Sequence, residues 1–163
     1  MAREYVFVDE WDVDAPIQTV FATLADPSTY PAWWRPVYRN VVTRGHVGVG
    51  HTSDHYFKGK LPYTLRMHAR MTEYEPPHRF KVEVDGDLTG TGVWTFAERD
   101  GKTHVRWDWT VTADKPLLRV FTPLLRPLFR SNHNWAVARA REGLEPYARR
   151  AGVRIQESVS SRA

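Results

Sequence analysis

The amino-acid sequence predicts an α+β fold in which a curved antiparallel sheet of about seven strands wraps around a long C-terminal helix, with two short helices after strand 1. Two patterns lead to this prediction. Residues 37–113 consist of short segments that alternate apolar and polar side chains between turn residues, as successive hairpins do. From Pro116 to about Arg150, apolar residues recur at steps of three and four, which is the period of an amphipathic helix. Packing this helix against the sheet buries both apolar faces.

The two short helices are expected between the first strand and the rest of the sheet. The segment YVFVDEWDV at the start of the chain is rich in β-forming residues and predicts strand 1. We expect Asp14 to cap the helix that follows, and the Asp-Pro dipeptide at residues 26–27 to end it. A second, short helix follows, which Ser28 or Thr29 can cap.

The other strands are predicted from alternation and from the turn residues between them. In the last strand, Val105, Trp107, Trp109 and Val111 share one face, whereas Arg106 lies on the opposite face. Such alternation in successive hairpins indicates an antiparallel sheet with one wet face and one covered face. The six strands after the short helices are expected at residues 37–44, 51–58, 63–75, 79–85, 88–98 and 103–113.

The long helix carries its apolar residues along one side and most of its arginines elsewhere. Pro123 and Pro127 interrupt the pattern, so we expect a kink or a separate helical segment there. Because no internal linker or repeat is visible, residues 1–152 are predicted to form a single domain. Residues 153–163 are predicted to be a flexible tail.

The charges are distributed unevenly, although the net charge is only +4. Residues 1–14 carry five acidic side chains against one arginine, and residues 119–154 carry eight arginines against two glutamates. The basic residues have no interleaved aromatic side chains for stacking on bases, so we expect no nucleic-acid partner. We interpret them as a solvated helix face, with weak attraction to an anionic membrane surface or an acidic partner as the alternative.

Several chemistries are disfavoured by residue type and spacing. The chain has no cysteine, which excludes disulfides and thiolate sites. His51 and His55 lie four residues apart on a predicted strand, about 13 Å along its axis, too far to share an ion with Asp54. We therefore predict no metal and no organic cofactor. No secretory signal and no apolar run of about 18 residues is visible, so we expect a cytoplasmic protein without stable membrane insertion, either monomeric or homodimeric.

Three segments resemble the START-like (helix-grip, SRPBCC) superfamily, in its polyketide cyclase/dehydrase and lipid transport branch. They are DAPIQTVFATLADPSTYPAWW after strand 1, LPYTLRMHARMTEYEPPHRFKVEVDGDLTGTGVWTF in the sheet, and KPLLRVFTPLLRPLFRSNHNWAVARAREGLEPY at the end. The resemblance covers about residues 4–150. It implies a deep apolar cavity between the sheet and the long helix, with its mouth near the short helix and the strand loops. The fold hosts enzymes, lipid carriers and binding proteins, so it does not define one function.

The adjacent indoles of Trp33 and Trp34 are expected in different environments, one facing the cavity or the core and the other at the rim. Gly90 and Gly92 remove side-chain volume beside Trp94, which favours a bulge or open space. His133 can hydrogen-bond a ligand or be a satisfied core histidine. The predicted ligand-binding residues are Trp33, Trp34, His55, Phe57, Tyr63, Met67, Trp94, Trp107, Trp109, Phe129, Asn132 and His133.

Three functions are compatible with these residues, of which the third is an interaction module whose cavity is vestigial. The first is binding of a hydrophobic, aromatic or polyketide-like small molecule, oriented by a few polar groups. The alternative is a cofactor-independent polyketide cyclase/dehydratase, in which His133 or Tyr63 moves a proton during aldol-type ring closure. Arg66 and Arg106 are predicted on outer faces, where neither could stabilise an enolate.

Overall fold

A computed structural model of the chain describes residues 4–60, 63–113 and 122–161. Seven strands and the long C-terminal helix appear in the predicted order, and a single 3-10 turn (Pro27–Thr29) separates the two short helices. The α+β prediction is confirmed. The elements are β1 (Glu4–Val13), α1 (Ile17–Ala25), α2 (Tyr30–Trp33), β2 (Tyr38–Arg44), β3 (Thr52–Phe57), β4 (Leu65–Glu75), β5 (Arg79–Gly86), β6 (Leu88–Arg99), β7 (Lys102–Ala113) and α3 (Thr122–Ser160).

The sheet is antiparallel between all neighbouring strands, in the order β1-β7-β6-β5-β4-β3-β2. Burial alternates as predicted: Leu65, Met67, Ala69 and Met71 of β4 are buried, whereas Arg66 between them is exposed. The inner face of the sheet packs against α1 and α3 and forms the core. The period-two pattern therefore assigns the faces of this strand correctly.

The expected helix caps differ from those observed. Asp14 does not cap α1, whose N-cap position is Pro16; its carboxylate pairs instead with Arg149 of α3. Asp26 caps the 3-10 turn, since its Oδ1 accepts the Ser28 main-chain N–H over 3.0 Å. Neither Ser28 nor Thr29 makes a capping hydrogen bond to α2. Long-range pairing across 135 residues has overridden a local preference that the sequence shows for Asp14.

Helix α3 continues to Ser160, so it does not end near Arg150 as predicted, and the expected flexible tail at residues 153–163 is helical as far as Ser160. The expected beginning of the helix at Pro116 lies outside the described residues. The buried stripe of the helix consists of Val137, Ala140, Leu144 and Ala148, at steps of three and four. No helix in the described part of the chain is long and apolar enough to span a membrane.

The acidic N-terminal segment contacts the basic helix. Arg149 pairs with Asp14, and Arg141 donates to the main-chain oxygen of Glu10 over 3.2 Å. Glu145 of the same helix accepts the Asp14 main-chain N–H over 3.0 Å. Two of the eight arginines at residues 119–154 therefore contact the protein's own N-terminal segment.

Candidate ligand-binding cavity

A cavity of about 130 Å³ lies between the inner face of the sheet and helix α3. Side chains from all seven strands, α1, α2 and α3, or from the loops that join them, line it. Most are aromatic or aliphatic, and the described lining residues include no lysine, arginine, aspartate or glutamate. An apolar wall with a few polar groups is the usual composition of a small-molecule site.

The two ends of the cavity differ in exposure. Beside α1 and α2 the lining side chains are buried, and at the opposite end they are partly exposed. The buried set includes Leu24, Tyr30, Trp34 and Phe80, and the partly exposed set includes Phe57, Gly59, Leu88 and Phe129. The short helices therefore close one end. Among the described residues, the partly exposed lining lies at the end beside the strand loops, and we call this end the mouth.

Trp33 and Trp34 are both buried and stack on each other, with ring centroids 5.2 Å apart. Trp34 lines the cavity and donates its Nε1–H to the main-chain oxygen of Ala136 in α3 over 2.8 Å. Trp33 does not line the cavity, and its Nε1–H bonds the Thr29 hydroxyl over 3.0 Å. The expectation of one rim-exposed indole is wrong, because α3 covers this segment.

Three tryptophans from β6 and β7 form one wall. Trp94 and Trp107 stack with centroids 4.7 Å apart, and Trp107 contacts Trp109 at 5.3 Å. Gly92 provides room for the Trp109 ring, because a Cβ there would lie 2.9 Å from a Trp109 ring carbon. The predicted open space at this glycine is thus filled by an indole, and the cavity lies elsewhere along the wall.

His133 and Asn132, on α3, both line the cavity but are engaged by other elements. His133 Nε2 lies 2.6 Å from Asp9 Oδ2, and the ring stacks on Phe7 with centroids 3.9 Å apart. Asn132 Oδ1 accepts the Lys60 main-chain N–H over 2.6 Å. Asn132 therefore anchors the β3–β4 loop at the mouth, and His133 forms a carboxylate–imidazole pair on the wall.

The inner face of β3 contributes the β3 wall, which we define as His51, Ser53 and His55. All three are buried and line the cavity. Ser53 Oγ lies 2.7 Å from His55 Nε2. Burial lowers the pKa of His55 to about 4, with the nearby His68 and His51 acting in the same direction and Asp54 opposing them. His55 is therefore a neutral imidazole near pH 7.

Two tyrosines flank His55. The Tyr30 and Tyr38 rings lie 6.1 Å and 5.7 Å from the His55 ring, measured between centroids. The Tyr30 hydroxyl donates to the main-chain oxygen of Leu24 over 2.6 Å. Burial raises the pKa of both tyrosines, so both hydroxyls stay protonated near neutral pH.

Most of the predicted ligand-binding residues come together around the cavity. Trp33 and Tyr63 are the two that do not line it. Sequence reasoning missed His51 and Ser53, although they share a strand face with His55 and alternation alone would have placed them beside it. Those that line the cavity are Trp34, His55, Phe57, Met67, Trp94, Trp107, Trp109, Phe129, Asn132 and His133.

The sequence model of the family described as polyketide cyclase / dehydrase and lipid transport matches residues 6–151. The chain belongs to this family. Its helix-grip fold is that of the START-like superfamily. No functionally curated protein matches the chain.

Solved structures place this family member among proteins of the same fold. TTHA0849 from Thermus thermophilus is 20% identical with a TM-score of 0.75, covering 90% of this chain and 99% of that one. The ZhuI aromatase/cyclase from Streptomyces sp. R1128 is 14% identical with a TM-score of 0.71, covering 91% and 95%. Norcoclaurine synthase from Thalictrum flavum is 14% identical with a TM-score of 0.61, covering 93% and 98%. At these identities the likeness shows the fold alone.

Proposed function

We propose that this protein binds a small hydrophobic molecule with an aromatic part in the cavity between the sheet and α3. The observation that carries the proposal is an apolar cavity with four indoles in its wall, those of Trp34, Trp94, Trp107 and Trp109. Burying apolar ligand surface against this wall contributes about 25 cal/mol per Å² to the free energy of binding. Aromatic faces in offset or edge contact add about 0.5–1.5 kcal/mol.

The size of the cavity supports a ligand with a single ring. Its volume is about 130 Å³. An engineered apolar cavity of about 150 Å³ in another protein binds benzene, whereas drug-sized ligands occupy pockets of roughly 300–1,000 Å³. Without a rearrangement of its walls, the cavity therefore suits a substituted benzene better than an extended polyketide chain.

A titration with para-ethyltoluene, a neutral substituted benzene, tests the proposal. We expect saturable shifts of the indole N–H resonances of Trp34 and Trp107 in ¹H–¹⁵N spectra. Ala69 is buried on the cavity wall, so Ala69→Leu should fill part of the space and raise the Kd about tenfold or more. Ala97 is exposed on β6, so Ala97→Leu is the matched control and should leave the Kd unchanged.

Two results of this titration would contradict the proposal. Shifts that fail to saturate, or an equal effect of the Ala69 and Ala97 substitutions, would mean that the ligand does not enter the cavity. Decanol, a neutral acyl-chain alcohol, serves as a second probe. If decanol saturates and para-ethyltoluene does not, the ligand is a lipid chain rather than an aromatic ring.

The Asp9–His133 pair favours a second candidate, cofactor-independent cyclisation. Asp9 Oδ2 is 2.6 Å from His133 Nε2. A carboxylate on one ring nitrogen orients the imidazole and stabilises its protonated form, which leaves the other nitrogen to act as a base. Such a base could remove a proton beside a ligand carbonyl, and the resulting enolate could close a ring on a second carbonyl.

A linear 1,5-diketone tests this candidate, because its aldol closure and dehydration give a cyclic enone with strong ultraviolet absorbance. If the pair is catalytic, His133→Ala should abolish turnover, and Asp9→Asn should lower kcat about 100-fold or more. Binding of para-ethyltoluene should persist in both variants. Absence of turnover in the unsubstituted protein points back to a carrier.

A further inference from the structure

The β3 wall places three polar residues on one side of a cavity whose lining is mostly apolar. His51, Ser53 and His55 alternate along the strand and face inward, and all are more than nine-tenths buried. The next inward position, Phe57, is apolar, as is Met67, the cross-strand partner of His55. The polar groups are therefore concentrated in the inner part of the wall, and the part toward the mouth is apolar.

His51 presents a hydrogen-bond acceptor. Its Nδ1 lies 3.1 Å from the main-chain oxygen of Gly45, which can only accept, so Nδ1 carries the hydrogen. In the neutral ring, Nε2 then bears a lone pair. This Nε2 is buried and has no hydrogen-bond partner among the described residues.

His55 presents a nitrogen that can take either role. Its Nε2 is occupied by the Ser53 hydroxyl, and its buried Nδ1 has no hydrogen-bond partner in the described part of the chain. If Ser53 donates to Nε2, Nδ1 is a donor; if Ser53 accepts from Nε2, Nδ1 is an acceptor. A change of tautomer of the neutral ring, accompanied by rotation of the Ser53 hydroxyl, therefore adapts His55 to a ligand.

A buried polar group without a partner is unfavourable relative to a hydrogen-bonded one. His51 Nε2 and His55 Nδ1, which have no partner among the described residues, lie on the same strand face. The absence of charged side chains among the described lining residues excludes the simplest means of binding a carboxylate or an ammonium, since an unpaired buried charge is strongly unfavourable. A neutral group that both donates and accepts fits this wall.

We propose that the β3 wall selects a neutral phenol, with the hydroxyl bound at His55 and the aromatic ring held against Phe57 and Met67. This inference rests on the proposed binding function and names its ligand class. A phenolic hydroxyl can satisfy Nδ1 of His55 in either tautomer. An ether can only accept, and a methyl group does neither.

Three neutral probes of similar size separate these possibilities: para-ethylphenol, para-ethyltoluene and para-ethylanisole. In a wholly apolar cavity, the phenol should bind at least tenfold more weakly than its methyl isostere, because its hydroxyl loses its hydrogen bonds to water. We expect the unsubstituted protein to bind the phenol at least as tightly as the methyl compound, and more tightly than the ether. A tenfold preference for the methyl compound overturns the inference while leaving the binding function intact. If none of the three binds, both fail.

Substitutions in the β3 wall test where the phenolic hydroxyl binds. His55→Leu should raise the Kd of para-ethylphenol about tenfold and change that of para-ethyltoluene less than threefold. Ser53→Ala should have a smaller effect of the same sign. His68→Leu is the matched control, because His68 lies on the outer face of β4 and bonds Asp54 over 2.7 Å. If His51→Leu lowers phenol affinity and His55→Leu does not, the assignment to His55 is wrong.

The ring nitrogens supply a readout that needs no substitution. In a long-range ¹H–¹⁵N spectrum, saturating para-ethylphenol should shift the His55 Nδ1 resonance, and para-ethyltoluene should not. The outer-face His68 should respond to neither ligand. Equal responses of His55 to both ligands would contradict a hydrogen bond to the hydroxyl.

Discussion

Trp34 and Ala136 are joined by a hydrogen bond that ties the segment after α1 to the middle of α3, across 102 residues of sequence. The indole Nε1–H donates to the main-chain oxygen over 2.8 Å, and the same indole lines the cavity. This contact explains why a second tryptophan follows Trp33. One indole bonds locally to Thr29, and the other connects the closed end of the cavity to the long helix.

Replacing Trp34 with phenylalanine should remove this donor and leave a gap in the cavity wall. We expect Trp34→Phe to lower the free energy of unfolding by about 2 kcal/mol, measured by urea denaturation. Trp135, on α3, is only partly buried. Trp135→Phe should therefore lower the free energy of unfolding by less than about 1 kcal/mol. Equal losses in the two variants would show that the Trp34 contact has no special role.

Gly143 and Gly152 both lie in α3 but have different neighbours. A Cβ at Gly143 would collide with the main-chain oxygen of Trp33, whereas a Cβ at Gly152 would lie 3.7 Å from Thr19 Oγ1, an ordinary contact. Gly143→Ala should therefore destabilise the protein by about 2 kcal/mol or more. Gly152→Ala should stabilise it by about 0.5–1 kcal/mol through helix propensity. Thermal unfolding of the two variants distinguishes the helix contact from propensity alone.

His55 should make stability depend on pH. An unfolded histidine has a pKa of about 6.5, whereas burial lowers the pKa of folded His55 to about 4. Between these values the unfolded chain binds a proton that the folded chain does not, so the free energy of unfolding falls as the pH falls. The change at this site from pH 7.5 to pH 5 is about 2 kcal/mol.

Urea denaturation of the protein and of His55→Leu at the two pH values measures this contribution. The other titrating groups are common to both chains, so the difference between their pH dependences isolates His55. The unsubstituted protein should lose about 2 kcal/mol more than the variant on acidification. Parallel profiles would show that His55 keeps its ordinary pKa.

Asn132 should control the β3–β4 loop at the mouth of the cavity. Its Oδ1 accepts the Lys60 main-chain N–H, and its side chain lies against Gly59. Asn132→Ala should accelerate hydrogen exchange of the Lys60 amide about tenfold, which corresponds to the loss of one hydrogen bond. Asn134 is exposed on the same helix, so Asn134→Ala should leave this exchange rate unchanged.

The faces of the strands and the order of elements along the chain were predictable because alternation is a local property of the backbone. The inward positions of β4 and β7 follow from period two alone, and the same rule extended to β3 places His51 and Ser53 beside His55. The α3 stripe containing Ala140 and Leu144 likewise follows from the helix period. The sequence by itself therefore determined the fold class and most of the cavity wall.

Tertiary structure alone decided the polar pairs that join residues far apart in the chain. Asp14 caps no helix since Arg149 reaches it, and Asp9 meets His133 across 124 residues. The Trp109 ring over Gly92 follows from the pairing of β6 with β7. The burial of both indoles at residues 33 and 34 depends on how α3 lies across the sheet. No period or spacing in the sequence specifies that placement, because it results from packing all the elements at once.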